Sequence, residues 1–100
     1  MILEVIENAR PTPLSHQLVV DVLFQLRRSY QITIHQCSRN FFHVRQTTKR
    51  GTKVIGFACD QLMAIDKAFD FIGIKPPIRL KGMIERRYWQ LKELKEVMYE

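Results

Sequence analysis

A two-layer α+β domain is the fold that the sequence predicts, and three observations indicate it. Apolar residues recur about every four positions over residues 13–28, every two over residues 30–58, and with a helical period again after Asp60. Two short polar turns divide the middle stretch into three runs, which is the pattern of an antiparallel three-stranded meander. A meander needs cover on one face, and the two flanking amphipathic helices supply it.

The first helix is predicted from Pro13 to Arg28. Thr12 suits the N-cap, and Pro13 suits the first helical position because an N–H there has no intrahelical partner. The apolar face of this helix repeats every four residues through Leu14, Leu18, Val22 and Leu26. Residues 1–7 fit both a strand and a helical turn, and we favour a strand that would add a fourth, edge strand to the sheet.

The three strands are predicted over residues 30–37, 41–47 and 52–58. Ser38-Arg39-Asn40 forms the first turn, and Thr48-Lys49-Arg50-Gly51 forms the second, where Gly51 is able to take a positive φ.

The register of the first two strands follows if Cys37 lies opposite Phe41. The polar face then carries two cross-strand pairs: His35 with His43, and Thr33 with Arg45. The register of the third strand stays open, so that either Val54 or Ile55 faces the helices.

The second helix begins after Asp60, a good N-cap, and ends at Gly73, a residue suited to a left-handed stop. Its apolar face consists of Leu62, Ile65, Phe69 and Ile72. Lys75-Pro76-Pro77 then excludes helix and favours an extended, stiff segment.

The sequence divides into a two-layer domain over residues 1–75, a spacer over residues 76–81 and a C-terminal helix over residues 82–100. That helix carries a narrow apolar seam formed by Ile84, Tyr88, Leu91, Leu94 and Met98. Such a seam is suited to pairing with another helix, either of a partner protein or of a second copy of the chain. The alternative is that the helix packs on its own domain.

The formal net charge of +6 is concentrated in the middle of the chain. No Asp or Glu occurs from Val22 to Cys59, whereas this stretch contains seven basic residues: Arg27, Arg28, Arg39, Arg45, Lys49, Arg50 and Lys53. A clustered excess of positive charge attracts polyanions, so the pattern favours nucleic acid as the partner. A solvated polar sheet face with no ligand is the alternative.

The predicted nucleic-acid-binding residues lie on the polar strand face and in the two turns. They are Arg39, His43, Arg45, Lys49, Arg50 and Lys53. The cations Arg45, Lys49, Arg50 and Lys53 are expected to contact phosphates, and Thr33, His43 and Gln46 to approach bases. Phe41 is the aromatic residue expected to be exposed beside them.

Neither a metal, a cofactor nor a catalytic centre is predicted. The potential zinc ligands are His35, Cys37, His43 and Cys59, which lack the close ligand pairs of structural zinc sites. Cys59 could act as a nucleophile with either histidine, but no group is evident to orient the base. Asp66 and Asp70 share a helix face but flank Lys67, as solvated carboxylates do. The chain also lacks a glycine-rich phosphate loop, so we expect a binding protein rather than an enzyme.

A cytoplasmic location is expected from the same sequence. Residues 1–10 contain Glu4 and Glu7 and lack a basic segment followed by an apolar run, so they do not form an ordinary secretory signal. The cysteines Cys37 and Cys59 are too few for a disulfide scaffold and are expected to be reduced thiols. No stretch approaches the ~20 apolar residues that span a bilayer.

A family resemblance covers about residues 30–73. The residues that carry it are Gly56, Phe57, Asp60, Ala64, Ala68, Phe69 and Asp70. This run resembles the strand-to-helix segment of AP2-type DNA-binding domains and of the amino-terminal domains of tyrosine integrases. Those domains are three-stranded meanders packed on one helix, and they bind DNA with the sheet. The resemblance implies DNA binding through the sheet, with Arg45 at a comparable strand position.

The α-β-β-β-α order also resembles double-stranded-RNA-binding domains. Those domains carry a lysine cluster at the start of the second helix, where this chain has Cys59-Asp60-Gln61-Leu62, which argues against that activity. DNA binding through the sheet is therefore the predicted function. The alternative is a protein-interaction module, a regulator or inhibitor of the phage or mobile-element type that docks on a host nucleic-acid-processing enzyme through the C-terminal helix.

Overall fold

The computed structural model describes the backbone of residues 13–99 and the side chains of residues 16–94. The elements in chain order are α1 (Pro13–Tyr30), β1 (Ile32–Ser38), β2 (Phe41–Thr48), β3 (Gly51–Ala58), α2 (Gln61–Ile72) and α3 (Ile78–Tyr99). The strands form one antiparallel sheet in the order β1-β2-β3, so the predicted α+β fold with a three-stranded meander is confirmed. The edge strand expected over residues 1–7 and the N-cap expected at Thr12 lie outside the described residues.

The register between β1 and β2 contains a bulge at Cys37. Both cross-strand pairs expected on the polar face are present. However, Ser38 rather than Cys37 lies opposite Phe41, because the register shifts by one residue between Gln36 and Ser38. The assumed Cys37–Phe41 pair was therefore wrong. The predicted pairs are nevertheless correct. The first turn is one residue shorter than expected, and the bulge takes up that one extra residue in β1.

A second bulge lies between β2 and β3 and resolves the register that the sequence left open. Val44 pairs with Gly56, whereas Arg45 pairs with Val54, so that Ile55 is the extra residue of β3. Ile55 packs against the core, and Val54 is exposed on the other face. Only one of these two apolar residues is therefore covered by the helices.

The second turn joins β2 to β3 through Lys49 and Arg50. Gly51 has a φ of 115°, which confirms the positive φ expected there. The Thr48 hydroxyl holds the turn, since it accepts a hydrogen bond from the Arg50 N–H at 3.2 Å and donates one to the Gly51 carbonyl at 3.3 Å. The two basic side chains consequently lie at the tip of a defined hairpin.

Helix α2 lies across the sheet and contacts all three strands, while α1 packs beside β1 and α3 packs on α2. The buried face of α2 consists of Ala64, Ile65 and Ala68. The buried core as a whole contains Val22, Leu26, Ile32, Val44, Ala64, Ile65, Ala68, Leu80 and Ile84. All three helices and the first two strands thus contribute to one core.

The end of α1 is fastened to the sheet by its last residues. Gln31 has a φ of 56°, and its N–H bonds the Arg27 carbonyl at 3.1 Å, so a non-glycine residue occupies the left-handed stop. Its carbonyl accepts the Thr47 N–H at 3.0 Å. The Gln46 side-chain amide also donates to the Tyr30 carbonyl at 3.2 Å. These bonds place the C-terminal turn of α1 beside the last residues of β2, next to the second turn.

The ends of α2 are those that the sequence predicts. The Asp60 carboxylate accepts the Leu62 N–H at 3.1 Å, which confirms it as the N-cap. Gly73 has a φ of 75°, and its N–H bonds the Asp70 carbonyl at 3.2 Å as well as the Phe69 carbonyl at 2.9 Å. The Ile74 N–H bonds the Phe69 carbonyl at 3.2 Å. This is the paired hydrogen-bond arrangement of a glycine-terminated helix.

The start of α3 differs from the sequence prediction. The helix begins at Ile78 rather than near Gly82, because the Pro77 carbonyl already accepts the first helical bond, from the Lys81 N–H at 2.8 Å. Leu80 is fully buried and Ile84 is only 6% exposed. The first turns of α3 therefore belong to the core, and residues 78–81 are helix rather than spacer.

An ion pair holds the middle of α3 to the start of α2. The Arg87 Nε atom lies 3.1 Å from one Asp60 carboxylate oxygen, while the other oxygen caps α2. A single carboxylate thus joins two helices.

The double role of Asp60 predicts a graded loss of stability. Asp60→Ala removes the cap and the ion pair and should lower the free energy of unfolding by about 1–2 kcal/mol. Asp60→Asn keeps a good cap and should cost only about 0.5 kcal/mol, as should Arg87→Gln, because partly exposed ion pairs contribute little. Urea unfolding measures all three variants. Equal losses for the alanine and asparagine variants would contradict the capping role.

The left-handed stop at Gln31 predicts a stabilising substitution. Gln31→Gly should raise the free energy of unfolding by about 0.5–1 kcal/mol, because glycine takes a positive φ without the clash of a β-carbon. The matched control is Gln25→Gly inside α1, which should lower stability by about 1 kcal/mol. Thermal and urea unfolding would show the opposite signs, and a loss of stability at both positions would refute the strain at Gln31.

Candidate nucleic-acid interface

The three-stranded sheet has one face covered by α2 and another that we call the open face. Side chains alternate between the two faces along each strand, and the buried Val44 and Ile32 mark the covered face. The residues that alternate with them, and their cross-strand partners, lie on the open face. Its members are Thr33, His35, Phe41, His43, Arg45, Thr47, Thr52, Val54 and Phe57. None of the described residues on this face is acidic.

Three rings form an aromatic cluster on the open face: Phe41, His43 and Phe57. The Phe41 and Phe57 rings are parallel within 5°, with centroids 5.5 Å apart. The His43 ring meets each of them edge-on at 5.1 Å. Phe41 remains 41% exposed and Phe57 54% exposed. Two large apolar rings therefore pack against each other and still meet solvent.

Polar groups continue the open face next to the aromatic cluster. The Arg45 guanidinium lies 3.5 Å from the His43 Nδ1 atom. The Thr33 hydroxyl lies 3.0 Å from the His35 Nε2 atom. In the described part of the chain, the one ion pair joins Arg87 and Asp60, so the Arg45 charge faces no carboxylate there. Arg45 therefore offers an unneutralised cation beside exposed aromatic rings.

Five basic residues gather at the end of the sheet near the second turn, which we call the basic end. They are Arg27, Arg28, Lys49, Arg50 and Lys53. The arginines come from the last turn of α1, which the Tyr30–Gln46 and Gln31–Thr47 bonds bring to this end. The sequence contains no Asp or Glu from Val22 to Cys59, so the last turn of α1 and the strands that build the basic end carry no acidic residue.

Two predicted site residues lie on the opposite face from the rest. Lys53 pairs with Gln46, and the Gln46 amide bonds the Tyr30 carbonyl on the helix side of the sheet. Lys53 is exposed and joins the basic end from the helix side, rather than extending the open face as expected. Gln46, which was expected to approach bases, has its side chain engaged with α1.

The remaining predicted residues are spread along the sheet. His43 and Arg45 are adjacent on the open face. Lys49 and Arg50 form the tip of the second turn, and Arg39 lies in the first turn at the opposite end. Strands of eight residues span about 25 Å, so a ligand that contacts both turns has to run along the sheet.

Three residues of the site were missed by the sequence prediction. Phe57 reaches the open face only because the second bulge shifts the side chains after Ile55 to the opposite face of β3, and the sequence does not mark that bulge. Arg27 and Arg28 were visible as part of the acid-free stretch, but their position beside the second turn depends on the attachment of α1 to β2.

The predicted partner-binding seam on α3 is divided by the structure. Ile84 is buried in the core and is not available to a partner, which corrects that part of the prediction. Tyr88 and Leu94 are more than half exposed, Leu91 is partly buried, and the Met98 side chain lies outside the described residues.

An unpredicted residue, Trp89, enlarges the exposed surface of α3. The ring is 54% exposed, stands edge-on to Tyr88 at 6.1 Å, and has the Lys92 ammonium 4.7 Å from its centroid. Beside it, a groove of about 420 Å³ runs between α2 and α3, lined among others by Met63 and Asp66.

Among the described residues, no three His, Cys, Asp or Glu side chains converge as a metal site. Cys37 and Cys59 are both free, exposed thiols. Within the described part of the chain, no helix has the length and apolar character needed to cross a membrane.

Comparison with protein-family models, with curated proteins and with solved structures gave no significant match for this chain.

Proposed function

We propose that this protein binds nucleic acid, with DNA as the first choice, through the open face of the sheet and the basic end. One observation carries the proposal: a solvent-facing sheet surface with exposed aromatic rings and the free Arg45 cation leads to a group of five basic residues. Such a combination suits a ligand that is both polyanionic and rich in flat apolar groups.

The position of the acidic residues supports the proposal. Asp21 lies on α1, Asp66 and Asp70 lie on α2, and Glu85 and Glu93 lie on α3. The strands and their turns carry none. The positive charge of the strands and their turns is therefore opposed by no carboxylate within those elements, which favours the approach of a polyanion to this part of the molecule.

Each group has a role that its chemistry allows. Arg45 and the cations of the basic end neutralise phosphates and release counterions, which supplies most of the affinity. Thr33, His35 and His43 present hydrogen-bonding groups beside them on the open face. DNA is proposed before RNA because residues 30–73 resemble domains that bind DNA with a three-stranded sheet.

A second candidate function is a protein-interaction module, a regulator or inhibitor of the phage or mobile-element type. The observation that favours it is the exposed apolar surface of α3, where Ile78 is 88% exposed and Tyr88, Trp89 and Leu94 are each more than half exposed. Aromatic residues of this kind often dominate binding energy at protein interfaces. A nucleic-acid-processing enzyme is the proposed partner.

Reversal of the charges at the second turn should weaken DNA binding without unfolding the protein. The double substitution Lys49→Glu and Arg50→Glu removes two phosphate contacts and should flatten the slope of log affinity against log salt by about 2 for duplex DNA. Its free energy of unfolding should stay within about 0.5 kcal/mol of the original, as for most surface changes. Fluorescence anisotropy over a salt series measures the affinity.

The matched control is Lys75→Glu with Arg79→Glu, which changes the net charge equally at exposed positions around the start of α3. This variant should bind DNA much more tightly than the turn variant. Equal losses in the two variants would mean that net charge, not the basic end, controls binding. Absence of DNA and RNA binding by the unmodified protein at low salt would exclude the proposed function.

The second candidate function predicts that activity depends on the aromatic residues of α3 and not on the second turn. Tyr88→Ala with Trp89→Ala should abolish capture of a specific partner protein from a nuclease-treated host lysate, because it removes two exposed aromatic anchors. The turn variant Lys49→Glu and Arg50→Glu should still capture that protein. Capture that requires intact nucleic acid and survives the aromatic substitutions would contradict the interaction module.

A further inference from the structure

The aromatic cluster is unusual for the open face of a sheet. An antiparallel sheet that faces water on one side normally alternates apolar residues inward and polar residues outward. Here Phe41 and Phe57 stand on the outward face, in contact with each other, and each leaves more than two fifths of its surface in solvent. Single exposed apolar residues are common, but a contiguous pair on a basic surface indicates a contact site.

The chemistry of a phenyl ring limits which nucleic acid would use this cluster. Phenylalanine has no donor or acceptor for the base edges that a duplex displays in its grooves. A base that is free of a duplex exposes its flat face, and stacking of that face on an aromatic side chain is favourable for every base. Phe41 and Phe57 are therefore matched to unpaired bases.

The residues around the aromatic cluster suit the phosphate backbone of a nucleic-acid strand whose bases stack on the rings. Arg45 lies next to the cluster through its 3.5 Å contact with His43. Beyond it, the Thr47 and Thr52 hydroxyls face each other at 2.9 Å on the way to the basic end. Aromatic rings at one end and cations along the rest of a groove or face are the combination found where single strands bind.

We propose that the open face binds single-stranded nucleic acid, with bases stacked on Phe41 and Phe57 and the phosphates following Arg45 to the basic end. This inference rests on the proposed nucleic-acid-binding function and specifies its ligand. The sheet length of about 25 Å accommodates on the order of four nucleotides, near the lower end for single-strand-binding domains. Single-stranded DNA and single-stranded RNA both provide bases on a flexible phosphate chain, which is the chemistry that this face would recognise.

The test compares an oligothymidylate, an oligouridylate of the same length and a DNA duplex by fluorescence anisotropy at low salt. The single strands should bind more tightly than the duplex. Phe41→Leu and Phe57→Leu should each weaken single-strand binding by about tenfold, because each removes the ring on which one base stacks. Duplex affinity and the salt dependence should change little, and the ratio of the two single-strand affinities assigns the preferred polymer.

Two control variants separate stacking from general apolar effects. Phe57→Tyr keeps an aromatic ring and should retain single-strand affinity. Phe24 on α1 is 61% exposed, more than either ring of the cluster, and Phe24→Leu should leave affinity unchanged. In the unmodified protein, NMR signals of the Phe41 and Phe57 ring protons should also shift when oligothymidylate stacks on them, a readout that needs no substitution.

The possible outcomes distinguish this inference from the proposed function. If duplex binds as tightly as single strands and the leucine variants change nothing, while the turn variant Lys49→Glu with Arg50→Glu still weakens binding, stacking is refuted and nucleic-acid binding stands. If the leucine variants weaken duplex binding as much as single-strand binding, the rings act as a wedge in a duplex and the inference is wrong. If no nucleic acid binds at low salt, the proposed function fails as well.

Discussion

The packing of α2 across the sheet is the contact on which the rest of the structure depends. Ala64 and Ala68 on the buried face of α2 are small enough to let the helix approach the strands closely, and Ile65 and Val44 are buried in the same core. A buried isoleucine contributes about 1.5–3 kcal/mol, a large share of the roughly 5–15 kcal/mol that stabilises a domain. The other two helices pack beside this layer, α1 next to β1 and α3 on α2. The second face of the sheet is thereby left open to solvent.

Two β-bulges decide which side chains reach that open face. Without the bulge in β3, the register of its first half would continue, and Phe57 would lie opposite Phe42 on the helix side. The inserted residue, Ile55, goes to the core instead, and Phe57 comes to lie beside His43 on the open face. A bulge that redirects a side chain is a feature commonly found beside functional sites. The aromatic cluster therefore follows from backbone irregularity as much as from composition.

The molecule presents two surfaces of different chemistry on different elements. The open face and the basic end combine aromatic rings with basic side chains, whereas the exposed part of α3 combines Tyr88 and Trp89 with charges of both signs. Asp60 links the two regions structurally, since it caps the helix that covers the sheet and pairs with Arg87 on α3. Among the described residues, the two surfaces share none. Charge complementarity favours nucleic acid for the first surface, and aromatic exposure favours a protein for the second.

The sequence by itself determined the order and type of the described elements, together with the caps of α2 at Asp60 and Gly73. These features depend on apolar periodicity and on residues within a few positions of each other, so a single stretch of chain contains all of the information. Only the tertiary structure decided that Lys53 lies on the helix side, that Phe57 joins the open face and that Ile84 belongs to the core. A bulge reverses strand parity without a marker in the sequence, and the burial of a helix face depends on which distant element packs against it. The acid-free stretch is read from the sequence alone, whereas the exposed pair Phe41 and Phe57, on which the single-strand proposal rests, comes together only in the folded sheet.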